Sequence, residues 1–295
     1  MTRSSSFDEI VRVRTREAMA ARIESLTSVF DRSAGNERLR IGNAWTRQRY
    51  GGDFELPPLP DARTAVSLVF VQSRDGNTVA ADPSALGGGA TDKHLIYEGL
   101  SRVAADAVMA GAGSTYRTAF FSVWHPELVS LRYQLGLPRH PAQVVISRQG
   151  HLDFEALLFN VPDVPVFLIA GGELLDARRS WLRARPWIHT FHLSSDEDLG
   201  AALDEMRVSH GITRISAIGG RFTATRLVDM GLAQDLYLTT TSRDGGEPGT
   251  PWYSGRSAPA LTLITRKQWT EKGSVITFDH FGLGGADQHR ERINC

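Results

Sequence analysis

Short apolar runs rich in valine and isoleucine recur along the chain at residues 64–71, 106–110, 142–147, 164–170 and 213–218. Runs of this length predict strands buried on both faces, as in a largely parallel sheet. Between them, residues 92–104, 126–135, 174–183 and 196–210 carry helical patterns. The last of these opens with Ser194, Ser195, Asp196 and Glu197, an N-cap followed by first-turn acids. Strands alternating with helices in this way predict right-handed crossovers. The end of the chain differs: residues 234–241, 261–270 and 274–281 are strand-like with no clear helix between them. The last two, joined at Lys272 and Gly273, read as an antiparallel hairpin. The expected fold class is therefore α/β, with a mostly parallel central sheet, flanking helices and an antiparallel C-terminal edge.

The first 60 residues have another character. Met19, Ile23, Leu26 and Phe30 are spaced 4, 3 and 4 apart, which predicts an amphipathic helix within residues 9–30. Residues 43–63 are rich in glycine and proline and read as irregular chain, ending in a linker around Pro57 to Pro60. The expected organisation is an N-terminal helical arm and linker (residues 1–60), then one domain (residues 61–295) with a short polar tail.

Composition narrows the function classes. The chain has 295 residues, with 33 Lys and Arg balancing 33 Asp and Glu. That balance argues against general nucleic-acid binding and a polybasic membrane anchor, but leaves room for a local anion site. The single cysteine, Cys295, excludes a disulfide framework and a cysteine-based zinc site; it reads as an exposed, incidental thiol. No metal site is expected. The N-terminus lacks the look of a signal peptide, since Arg12, Arg14 and Arg16 interrupt its apolar positions. No apolar run approaches the roughly 18 residues of a membrane span. A cytoplasmic protein is expected.

Two glycine-bearing loops follow predicted strands and carry the candidate chemistry. One is Gly111-Ala112-Gly113-Ser114-Thr115, and the other is Gly219-Gly220-Arg221, which leads into a helix over residues 222–230. Glycine removes the Cβ that would keep a phosphate from the backbone, and a helix N-terminus offers free N–H groups to an anion. In a parallel sheet both loops open at one carboxyl edge, so a single extended ligand can span them. Each alone reads equally as an ordinary turn. Arg221 could meet a phosphate bidentately, and Ser147-Arg148, at another strand end, could hold an adenosine 2′-phosphate. Asp75-Gly76, after the first strand, is a turn dipeptide in a loop placed to border a substrate.

Taken together, Ser73-Arg74-Asp75-Gly76, the stretch from Asp106 to Thr115, and Ile218-Gly219-Gly220 followed by Leu227-Val228 and Gly231 to Leu236 resemble the marks of one family. It is the riboflavin-pathway pyrimidine reductases, whose reductase domain has a dihydrofolate-reductase-like fold. The resemblance covers residues 64–281. It implies an NADPH-dependent oxidoreductase, 5-amino-6-(5-phosphoribosylamino)uracil reductase-like, acting on a small substrate as a homodimer. The antiparallel edge over residues 234–281 is then a natural subunit contact. Likeness implies that Gly111, Gly113, Ser114, Thr115, Gly219, Gly220 and Arg221 hold the dinucleotide. It also implies that Ser73, Asp75 and Gly76 border the nicotinamide and substrate.

One segment departs from the family. Where an Asp-Asp-Pro and a Leu-Thr-x-Arg are expected, the chain reads YRTAFFSVWHPELVSLR, residues 116–132. No acid carries over. His125 is a candidate proton donor and Arg132 a candidate for the substrate phosphate, while Phe120, Phe121 and Trp124 suggest an aromatic-lined pocket or core packing. The substrate therefore stays open among a phosphoribosylamino-pyrimidine, a pterin-like ring and a specialised-metabolite imine or carbonyl. A dinucleotide-binding protein without turnover is the remaining alternative.

Overall fold

The computed structural model describes residues 3–33, 38–80, 86–148 and 152–284. Cys295 and most of the polar tail, together with part of the loop after the first predicted strand (residues 81–85), lie outside the described residues. The arm contributes α1 (Arg3–Ala20), β1 (Thr27–Asp31), β2 (Leu39–Ile41), α2 (Ala44–Arg49) and β3 (Phe54–Leu56). Then follow β4 (Ala65–Gln72), α3 (Gly89–Thr91), its π-helical continuation (Asp92–Leu100), β5 (Ala107–Gly111), α4 (Pro126–Gln134), β6 (Ala142–Ser147) and β7 (Val166–Ala170). The remainder comprises α5 (Gly172–Ala177), α6 (Arg179–Arg183), β8 (Ile188–His192), α7 (Glu197–His210), β9 (Arg214–Ala217) and α8 (Arg221–Asp229). The last strands are β10 (Asp235–Thr240), β11 (Leu261–Glu271) and β12 (Ser274–Leu283).

Ten strands form one sheet in the order β1-β11-β12-β10-β4-β9-β5-β6-β7-β8. From β10 to β8 all neighbours run parallel, whereas β1, β11 and β12 join antiparallel. This is the expected α/β sheet with its antiparallel edge. Alternate side chains of the parallel strands feed two layers. Val66, Leu68, Met109 and Phe167 pack under α7 and α8, which bring Leu203, Met206 and Leu227. Val69 faces the other way, toward Ile96, Leu100 and Leu128 of the π-helical stretch and α4. The strand β9 enters between β4 and β5, although β5 to β8 precede it in the chain. That insertion creates a switch in strand order, where open α/β sheets form a crevice at their carboxyl edge. Among the described residues, no helix is long and apolar enough to cross a membrane.

Several local expectations are corrected. The helix expected within residues 9–30 ends at Ala20, and residues 27–31 form β1, paired with β11 from Thr27↔Gln268 to Asp31↔Thr265. The 4, 3, 4 spacing mixes two elements: Met19 is exposed on the helix, while Ile23 and Leu26 are buried in the chain that leaves it. The open N–H and C=O groups along the β11 edge then draw residues 27–31 into the sheet. The outer edge of β11, where a subunit contact was expected, is thus covered by the chain's own strand. Residues 43–56, read as irregular, hold α2 and β3, with Asn43 making a capping box with Thr46. The helix expected over 174–183 breaks at Arg178 into α5 and α6. β8 was missed because its sequence, IHTFH, dilutes the apolar signal at a sheet edge. The acids expected to open α7 cap it differently: the Asp198 carboxylate accepts from the Ser194 and Ser195 N–H groups at 2.6 and 2.8 Å.

Candidate active site

The two glycine loops meet. β5 and β9 are parallel neighbours with Met109 opposite Ala217, and the Ile218 N–H donates to the Met109 carbonyl at 2.8 Å. Beyond that bond the chains touch at their glycines: a Cβ on Gly219 would lie 3.0 Å from the Gly111 nitrogen. Gly219 is therefore required by backbone approach. Gly113 and Gly220 differ, because a Cβ at either would meet nothing within 4 Å. They leave bare backbone facing open space, the condition for a phosphate to come close. Gly220 is also the N-cap of α8, with no side-chain cap on the helix's first N–H groups. These features fit the pyrophosphate of a dinucleotide.

The individual loop residues have distinct tasks. Asp106, the first residue of the motif, is structural: its Oδ2 accepts from Thr213 N, Thr213 Oγ1 and Arg214 N at 2.8–2.9 Å, which ties the start of β5 to that of β9. Thr115 is buried and donates its hydroxyl to the Ala112 carbonyl at 2.6 Å, so it shapes the loop. Ser114 is half-buried beside it. An open cavity of about 470 Å³ adjoins this loop, lined by Ala112, Gly113, Thr115, Tyr116, Leu152 and Asp153. Arg221 opens α8, with its guanidinium 3.4 Å from the Gly249 carbonyl and 4.9 Å from the Phe222 ring. Ser147 is buried at the end of β6; the exposed Arg148 lies 3.8 Å from Asp196, which also pairs with Arg226 at 2.9 Å.

One strand away from β9, at the end of β4, the same edge carries a second cluster. The Ser73 N–H donates to the Asn77 carbonyl and the Gly76 N–H to the Ser73 carbonyl, both at 3.0 Å, with Gly76 at a positive φ of 85°. The expected turn at Asp75-Gly76 is present. Its far side is stitched to the loop after β10, through Arg74 and Asp244 and through Asn77 Nδ2 to the Gly245 carbonyl at 3.1 Å. Asp75 is exposed, and hydrogen bonds from the Ser73 hydroxyl and from its own backbone hold its carboxyl below the ordinary carboxylate value. An ionised Asp75 accepts hydrogen bonds and releases no proton near neutral pH.

Sequence reasoning missed Asp92. It follows Gly87, Gly88 and Gly89 and accepts a hydrogen bond on Oδ1 from Thr239 Oγ1 at 2.5 Å. Thr239 is fully buried on β10, opposite Val71 of β4. Burial pushes the Asp92 carboxyl up to about 6; the Thr239 hydroxyl works against that shift and the nearby Glu271 carboxylate adds to it. The acidities of Asp75 and Asp92 are thus shifted in opposite directions. The signal available in sequence was a lone aspartate after three glycines, which reads equally as a helix start.

The divergent segment leaves the cleft. Phe120, Phe121 and Trp124 are buried, with Phe120 edge-on to Phe7 of α1 at 4.9 Å. They are core, and the arm covers them. His125 caps α4 by accepting from the Glu127 N–H at 3.4 Å and stacks on Trp45 of α2 at 4.3 Å. Burial, with His94 alongside, pushes its imidazole down to about 4, so it is neutral and enclosed. Arg132 is fully buried and donates to the carbonyls of Pro138, Arg102 and Ala105 at 2.8–2.9 Å. Neither residue is brought to the glycine loops. His125 is withdrawn as a proton donor and Arg132 as a phosphate ligand, because each is consumed in holding the fold.

The architecture is the dihydrofolate-reductase-like fold that the sequence resemblance implies. No protein-family model and no curated protein matches the sequence. Solved structures do match in fold. A pyrimidine reductase-like protein from Corynebacterium diphtheriae is 20% identical, with a TM-score of 0.61, covering 75% of this chain and 92% of that one. RibD of Acinetobacter baumannii is 14% identical with a TM-score of 0.55; the match covers 76% of this chain but 59% of RibD. The riboflavin biosynthesis reductase Rib7 of Saccharomyces cerevisiae is 14% identical with a TM-score of 0.52, covering 77% and 93%. The chain has the fold of the riboflavin-pathway pyrimidine reductases.

Proposed function

We propose that this chain is an NADPH-dependent oxidoreductase that transfers hydride to a small substrate at the carboxyl edge of its sheet. The observation that carries this reading is the contact between the two glycine loops, with Gly113 and Gly220 bare toward open space on either side. NADPH supplies the hydride when bound. The chain's own residues do the rest: Gly111, Gly113, Ser114 and Thr115 form one side of the phosphate cradle, and Gly219, Gly220, Arg221 and the start of α8 form the other. Ser147 and Arg148, one strand further out at the end of β6, are placed for the 2′-phosphate. Ser73, Asp75 and Gly76 border the substrate. Adjacent strands are roughly 4.8 Å apart, so the edge from β10 to β5 spans roughly 14 Å, a length suited to an extended dinucleotide. Holding cofactor and substrate in register there is the protein's contribution to rate.

The substrate class is an imine or an open-chain aminosugar equivalent, of which a phosphoribosylamino-pyrimidine is the leading member by family likeness. A pterin-like ring is the alternative. The homodimer that likeness also implies would use a face other than the β11 edge, and light scattering reads its mass. A cytoplasmic setting suits a soluble reduced cofactor. The test is oxidation of NADPH followed at 340 nm (the absorbance of the reduced ring) with 5-amino-6-(5-phosphoribosylamino)uracil and a panel of cyclic imines. Turnover with any of them supports the reading. Tight NADPH binding without oxidation of any would point to a dinucleotide-binding protein instead.

A further inference from the structure

We infer that the N-terminal arm and the antiparallel edge of the sheet enclose a second ligand site, which takes a free amino acid. The carboxylate of that zwitterion lies against Lys267, Tyr50 and Thr265, and its ammonium against Asp31, Asp53 and Glu55. The site is separate from the glycine loops and independent of the reductase reading.

A cavity of about 280 Å³ lies between the arm and the sheet. That volume is near the lower end of small-molecule sites, roughly 300–1,000 Å³. The sheet supplies a buried floor: Thr265 and Lys267 of β11 and His280 of β12. His280 is fixed there through Nε2 by Asp235, which also pairs with Arg38 at 3.2 Å. Tyr50, buried as well, closes the cavity from the arm, and Asp31, Arg40, Asp53 and Glu55 line its more exposed side. β12 and β11 stand three and four strands from β9. His280 pairs with Tyr237, which is roughly 10 Å along β10 from Thr240 at the carboxyl edge.

The buried groups have hydrogen-bonding capacity to spare. Lys267 donates to Ser28 Oγ at 2.7 Å and to the Gly51 carbonyl at 3.3 Å, with its Nζ 4.5 Å from the Tyr50 ring centre. An ammonium has three donors, so one is left over. Among the described residues, no ion pair includes Lys267. Burial lowers its pKa, against the pull of Asp31 and Glu55, and an anion beside it would restore the charged form. The hydroxyls of Tyr50 and Thr265 make no hydrogen bond among the described residues and line the same cavity. Burial pushes the Tyr50 hydroxyl up, which keeps it a donor. Three donors without acceptors thus meet on the floor, a match for a carboxylate.

The exposed side has the opposite character. Asp31 Oδ1 accepts from the Ser33 N–H at 2.8 Å and from its hydroxyl at 2.5 Å. Glu55 Oε1 pairs with Arg40 at 3.2 Å, and Asp53 Oδ1 with Arg47 at 2.9 Å. Each carboxylate thus engages one oxygen and leaves the other for a further donor. Burial works to raise Asp31, but the Ser33 hydrogen bonds, Lys267 and Arg40 outweigh it and hold the carboxyl below its ordinary value. A plain anion in the cavity would face these carboxylates, and a plain cation would face Lys267. A zwitterion oriented with its carboxylate inward satisfies both ends.

The test titrates the free L-amino acids, one at a time, into the full chain and follows Tm and calorimetric binding. At least one is expected to raise Tm and bind. Its N-acetyl derivative, which lacks the ammonium, and its carboxamide, which lacks the carboxylate, are expected to bind at least ~10-fold more weakly. Lys267→Met, Thr265→Val and Tyr50→Phe (which keeps the ring and loses only the hydroxyl) are each expected to weaken binding at least ~10-fold, with NADPH affinity unchanged. Where Lys267→Met lowers Tm on its own, Tyr50→Phe and Thr265→Val decide. No binding of any amino acid to folded wild type overturns the proposal. So does a smaller loss than that in both Tyr50→Phe and Thr265→Val, which would put the ligand elsewhere, or equal affinity for the N-acetyl derivative or the carboxamide. Wild type that binds an amino acid here and no NADPH contradicts the reductase reading alone.

Discussion

Gly219 and Gly220 are adjacent yet answer to different constraints, and substitution separates them. A Cβ at Gly219 would press on the Gly111 nitrogen at 3.0 Å, so Gly219→Ala must move backbone. It is expected to destabilise the fold by about 1–3 kcal/mol, read as a lower Tm. Gly220→Val meets no neighbour and is expected to leave Tm unchanged while weakening NADPH at least ~10-fold, through loss of phosphate approach. Asp92 makes a pH prediction at the same scale. Its folded value of about 6 lies above the 3.8 of the free group, so the folded protein holds the proton more tightly. The resulting cost is absent below about pH 4, grows as pH rises through about 6, and is full at neutral pH. Asp92→Asn is therefore expected to raise stability at pH 7 by about 1–2 kcal/mol, less than the full shift implies because the carboxyl keeps some solvent contact, and to change nothing at pH 4. Chemical denaturation at the two pH values checks it.

At the scale of elements, the divergent segment and α4 show what the sequence could and could not convey. The parallel strands were legible because their side chains are buried on both faces: AQVVIS was expected at 142–147 and forms β6 at those positions. The glycine loops were legible because strand order put them in register. Arg132 and His125 were not, since a motif position says which residue stands there and not which way it faces. The Arg132 guanidinium turns inward to the carbonyls of Arg102 and Ala105, beyond the π-helical stretch, and of Pro138, in the loop after α4. Arg132→Met is expected to cost about 2–4 kcal/mol of stability, seen as a lower Tm, with no change in NADPH affinity. A phosphate ligand would behave in the opposite way. Asp92 escaped notice for a similar reason: its environment is made by Thr239 and Glu271, which lie 147 and 179 residues further along the chain.

For the whole molecule, the arm and the divergent segment explain each other. Residues before 60 close the sheet at β11, bury Phe54 against Gly99 and lay Phe7 and Trp45 over Phe120 and His125. Aromatic core thus stands where the family resemblance led us to expect acids, and the arm is what covers it. Phe54→Ala is expected to cost about 3–5 kcal/mol, measured by denaturant titration, because its ring is fully buried. The period-4 spacing at the N-terminus misled because Leu26 and Phe30 are placed by contacts with β11 and the core, which no local pattern encodes.

The paired glycine loops are proposed to bind a reduced dinucleotide. The most direct measurement is a calorimetric titration of NADPH into wild type and Gly220→Val, with Tm recorded for both. Micromolar binding by wild type, at least ~10-fold weaker binding by Gly220→Val and equal Tm values are expected. Equal affinity in the two proteins, or no binding by a folded wild type, would contradict it.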